Sequence, residues 1–82
     1  MLNMYLQDMD GYLKFVDSYY KVNNVIESCN RIEHTQVSQQ MIDNLNVFCS
    51  CSKIPYDFYV FYINDLKSSL NKKINELSQN LH

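Results

Sequence analysis

Apolar residues recur along this chain at helical spacing in three blocks, with polar residues between them. The first block runs from about Asn3 to Glu33. It places Tyr5, Met9, Tyr12, Val16, Tyr19, Val22, Ile26 and Cys29 at steps of three or four. Such steps mark one face of an α-helix. A parallel stripe through Leu6, Leu13 and Tyr20 widens the face expected to be buried. Gly11 and the pair Asn23–Asn24 are the weak points. Glycine in a helix interior costs about 1 kcal/mol against alanine. One long helix is expected; a break at Asn23–Asn24 would instead give a four-helix chain.

The second block spans about Gln36 to Cys51. Val37, Met41, Leu45, Phe48 and Cys49 form its stripe, with Ile42 beside it. Thr35 is the expected N-cap, since a threonine hydroxyl can accept from an orphan backbone N–H. The third block begins at Pro55 and reaches about Asn80. Proline suits the first helical position and pushes the residue before it, Ile54, out of the helical region. Asp57 then falls in the first turn, where a carboxylate favours the positive end of the helix dipole. The stripe is Tyr59, Ile63, Leu66, Leu70, Ile74, Leu77 and Leu81, built on 11-residue repeats. That period gives a nearly straight or slightly right-handed seam. The run Tyr56 to Ile63 is rich in strand-favouring residues, but nothing else in the chain reads as a strand to pair with it.

Gly11 and Pro55 are the sole glycine and proline. A β-sandwich or barrel of this size needs several turns, so the scarcity argues for long helices. At 82 residues, a second domain would need roughly 50 more to bury its own core. The expected fold is therefore all-α: one domain over residues 1–82, a small antiparallel bundle of three helices.

Composition then narrows function. A hydrophobic content of 46% is enough to build a core, which argues against wholesale disorder. Uncharged stretches such as Asn44 to Ser52 fall far short of the roughly 18 apolar residues that span a bilayer. Asp8 and Asp10 interrupt any secretory signal, so a cytoplasmic location is expected. A net charge of -2 with seven basic residues leaves no footprint for nucleic acid. Abundant Asn, Lys, Ile, Tyr and Phe, with no alanine or tryptophan, point to an AT-rich genome, such as that of a phage or plasmid of a low-GC bacterium, a large DNA virus or an AT-rich protist.

Chemistry finds little purchase. The three cysteines, Cys29, Cys49 and Cys51, are an odd number, as in a reduced intracellular protein. A zinc set drawn from Cys29, His34, Cys49 and Cys51 lacks a familiar ligand spacing. Cys29 and Cys49 read instead as small core residues. No glycine-rich turn accompanies a cysteine, and Gly11 stands alone, so neither a Cys–His nucleophile nor a phosphate loop is expected. Asp8, Asp10 and Asp17 do not space as a calcium loop. No enzymatic activity, cofactor or metal is expected.

The seven tyrosines and four phenylalanines are more informative. The aromatic start of the third block points in every direction, so one core cannot cover it all. Contiguous leftover aromatic surface marks a contact site. The expected partner-binding residues are Tyr19, Tyr20, Tyr56, Phe58, Phe61 and Tyr62. The first and third helices, at about 1.5 Å per residue, should overhang the shorter second. A second copy would cover their ends, with a homodimer seam at Leu70, Ile74, Leu77 and Leu81. The expected function is a non-enzymatic protein–protein interaction module, an accessory or inhibitor protein of a phage or other virus. The alternative is an acidic inhibitor or regulator of a nucleic-acid enzyme, presenting carboxylates where phosphates would bind.

Overall fold

In the computed structural model, the backbone of residues 2–79 and the side chains of residues 10–79 are described. The chain folds as a three-helix bundle: α1 (Leu2–Ser28), α2 (Ile32–Ser50) and α3 (Tyr56–Gln79). Short connections force neighbouring helices antiparallel, and each helix contacts both others. The first block is one helix, continuous through Asn23–Asn24, and the aromatic run Tyr56 to Ile63 is helical. Its end comes earlier than expected, at Ser28 rather than Glu33, because residues 29–31 make the turn.

The turn into α2 corrects a second expectation. Arg31, extended at φ -140°, takes the N-cap position without a side-chain bond. Thr35 lies inside the first turn, and its hydroxyl donates to the Ile32 carbonyl instead of capping. At the other end, Ser52 Oγ donates to the Cys49 carbonyl at 2.8 Å and accepts from the Ile54 N–H at 3.2 Å. The Pro55 carbonyl then accepts from the N–H groups of Phe58 and Tyr59, so Pro55 is the N-cap and α3 begins at Tyr56, one residue later than expected.

The core takes Phe15, Val22 and Ile26 from α1 and Tyr59, Ile63, Leu66 and Leu70 from α3. From α2 it takes Ile42, Leu45 and Cys49, and Ile54 plugs the end between α2 and α3. Burying each large side chain stabilises the fold by about 1.5–3 kcal/mol relative to leaving it exposed. The stripe expected for α2 is rotated. Its buried positions are Thr35, Ser38, Ile42, Leu45 and Cys49, while Val37 is exposed and Met41 half-buried. Ile42 faces the middle of the bundle, which brings the small polar Ser38 and Thr35 inward one and two turns earlier.

Two cross-links set the register of α1 against α3. Tyr19 bonds Asp65, and Lys73 Nζ donates to the Glu27 carbonyl at 3.2 Å. Both pairs are 46 residues apart, so the helices run parallel with a constant offset. By that offset Gln79 sits level with position 33, and α3 outruns α1 by about 7 Å. The Cα radius of gyration is 14.8 Å, with extents of 58 × 19 × 14 Å. A compact chain of this length would have a radius near 12 Å. The bundle is therefore a rod, because helices of 19 to 27 residues are longer than three packed helices are wide.

Candidate interaction face

Along the α1–α3 side, aromatic rings interlock. The Tyr12 ring stands on Phe58 at 4.8 Å between centroids, and Phe15 meets Tyr62 edge-on at 5.3 Å. Tyr19 continues the ladder, 5.1 Å from Tyr62 and 5.3 Å from Tyr20. Such edge-to-face pairs add about 0.5–1.5 kcal/mol each beyond the area they bury. The ladder fixes the rings beneath the surface.

Tyr19 is also tied through its hydroxyl, which donates to the Asp65 carboxylate. That hydrogen bond, followed by desolvation, pushes the Tyr19 phenol up to about 12. The bond stabilises the neutral phenol and opposes its ionisation beside a carboxylate.

The expected contact residues divide accordingly. Tyr19, Phe58 and Tyr62 are half-buried members of the ladder and pack against the core. Tyr20 and Phe61 stand outside it, 60% and 74% exposed. At 100° per residue, Leu13, Val16 and Tyr20 share the outer flank of α1 that borders this ladder. Phe61 lies about 60° round α3 from Phe58. Tyr20 and Phe61 therefore both border the same seam between α1 and α3. Tyr56 does not belong to it. Although exposed, it lies nearly opposite Phe58 on α3 and packs on Tyr59 at 5.5 Å.

The seam expected for self-association divides too. Leu70 is a correction: at 1% exposed it belongs to the core of its own chain, held by the other two helices. Ile74 and Leu77 are half-buried; by the 46-residue offset Ile74 is level with Ser28, the last residue of α1, and Leu77 lies about one turn beyond it. Leu81 lies outside the described residues.

Sequence reasoning missed a groove between α1 and α2. It encloses about 490 Å³, with Val22, Met41, Leu45 and Phe48 along it and Lys14 and Lys21 at its rim. Lys14 pairs with Asp10 at 3.2 Å and Lys21 with Asp17 at 3.0 Å. The available signal was Met41 and Phe48, seven residues apart and offset from Ile42. Assigning them to the core hid it.

The cysteines are spread along the rod. Cys29 packs beside Ser38, and Ser38 and Cys49 are separated by about 16 Å of helical rise along α2. Cys29 and Cys49 cannot share one zinc ion with His34 and Cys51. Cys29 Sγ lies 3.2 Å from the Val25 carbonyl and 3.4 Å from Ser38 Oγ. Burial pushes the Cys49 thiol up to about 11, while Cys51 is exposed. A buried protonated thiol is a poor nucleophile.

Among the described residues, no helix is long and apolar enough to cross a membrane. No protein-family model, curated protein or solved structure matches this chain.

Proposed function

We propose that the chain is a non-enzymatic protein–protein interaction module that docks a partner on the α1–α3 aromatic face. The exposure of Tyr20 and Phe61 over a fixed ring ladder carries this reading. Removing such apolar surface from water favours binding, and the Tyr20 ring, packed edge-on against Tyr19, has little freedom left to lose. The AT-rich composition suits an accessory or inhibitor protein of a phage or other virus, acting in the host cytoplasm. The charge-led alternative draws less support, because Asp10 and Asp17 are already engaged by lysines of their own helix.

The test is capture from cells of the source with wild type and with a Tyr20→Ser, Phe61→Ser double variant. Both side chains are exposed, so the variant should keep its helical circular dichroism. Loss of interface anchors of this kind weakens binding by about 2 kcal/mol or more, roughly 30-fold. A specific partner should be retained by wild type and lost from the variant. Equal capture by a folded variant would exclude this face.

A further inference from the structure

The charge along the aromatic face bears on what kind of partner segment it takes. Asp57, Phe61 and Asp65 stand four residues apart on α3, so they form one ridge of the helix surface. All three are exposed. The ion pairs among the described residues, Lys14–Asp10 and Lys21–Asp17, lie on the α1–α2 side of the bundle. Lys73 reaches the Glu27 carbonyl at the far end of the rod. Two carboxylates therefore bracket the most exposed aromatic side chain of the face, with no lysine or arginine between them. Asp57 has a role of its own in the first turn of α3, where it complements the helix dipole. Asp65 does not. It is held by the Tyr19 hydroxyl through one oxygen and keeps its second oxygen for another donor.

We propose that the aromatic face binds an extended segment of the partner carrying two arginines either side of an apolar residue, seated on Asp57, Phe61 and Asp65. This rests on the docking face proposed above and adds the chemistry of its occupant. Eight residues of helix separate the two carboxylates by about 12 Å along the axis. In an extended peptide, four residues cover about 13 Å. Arginine at the first and fifth positions would thus reach both acids, with the third side chain over Phe61. Side chains one and five, and also three, project from the same face of an extended chain, as this seating requires. Arginine fits better than lysine here. Its planar guanidinium can stack on the exposed edge of the Tyr19 and Tyr62 pair while one N–H donates to the remaining Asp65 oxygen.

The probe is a blocked peptide of the pattern arginine-serine-leucine-serine-arginine, titrated into the ¹⁵N-labelled full chain. Saturable amide shifts are expected at Tyr19, Tyr20, Phe61, Tyr62 and Asp65. The lysine counterpart should bind more weakly and the glutamate counterpart should produce no saturable shift. Asp65→Asn should weaken the arginine peptide about tenfold, the scale of one charge-assisted hydrogen bond. Tyr20→Ser with Phe61→Ser should weaken all basic peptides. Equal binding of arginine and glutamate peptides, insensitivity to Asp65→Asn, shifts centred on Met41 and Phe48, or no saturation at millimolar peptide would each overturn the inference. The parent reading fails separately: it falls when partner capture survives Tyr20→Ser with Phe61→Ser. If capture is lost there but survives Asp65→Asn, the face stands and the arginine segment does not.

Discussion

At the scale of single residues, the cysteines and Tyr19 give the sharpest expectations. Cys51 is exposed and Cys49 is buried with its thiol held protonated. A thiol reagent at pH 8 should therefore label Cys51 first in the native chain, with all three reacting in denaturant, as mass spectrometry would show. Cys51→Ser should be nearly neutral, whereas Cys49→Ser should cost about 1–2 kcal/mol by burying a hydroxyl. Equal losses in urea unfolding would contradict that contrast. Tyr19 and Cys49 also set a response to alkali. Both groups have folded values raised above their ordinary ones, Tyr19 from 10.0 to about 12 and Cys49 from 9.0 to about 11. Their stabilising contributions are whole below the ordinary value and disappear as pH rises through the folded one. Urea midpoints should fall from pH 9 toward pH 12, and the fall above pH 10 should be shallower in Tyr19→Phe. An unchanged slope in that variant would show that the bond to Asp65 carries no linkage.

At the scale of helices, α1 holds its length despite Gly11 because packing on two neighbours overrides local propensity. Among the described residues none has positive φ, and a Cβ built on Gly11 meets none of their atoms within 4 Å. Gly11→Ala should thus stabilise the chain by about 0.4–1 kcal/mol, through loss of freedom in the unfolded state. Thermal unfolding would register that as a rise of a few degrees in Tm; a lower Tm would mean the helix is strained at this point. In α2 the sequence offered two overlapping stripes, one through Val37 and Met41 and one through Ile42 and Cys49. Local pattern alone does not choose between them. The bundle buries the second, since Leu45 serves both and Ile42 reaches the centre from there.

At the scale of the molecule, the rod leaves Ile74 and Leu77 half-buried near the end where α3 outruns α1. We propose that a second copy covers this end. Light scattering at high micromolar concentration should then give twice the 9.8 kDa of one chain. Ile74 also packs on the core, so Ile74→Glu would both weaken assembly and loosen the fold. Leu77→Glu is the cleaner variant and should yield a folded monomer. A wild-type mass of one chain at that concentration would exclude the dimer.

The number of helices, their type and most of the core were legible in the sequence. Helical spacing and the near-absence of glycine and proline act locally, and every long periodic segment here carries them. The strong stripe of α3 likewise named Tyr59, Ile63, Leu66 and Leu70 as inward residues. Which aromatic residues stay outside was not legible. Tyr56, Phe58, Phe61 and Tyr62 differ only in angle around one helix, and that angle acquires meaning when α1 arrives at an offset of 46 residues. The same offset buries Leu70 and leaves Leu77 partly wet. Composition and periodicity set the elements, while register between distant segments, decided by packing the whole bundle, set the surface.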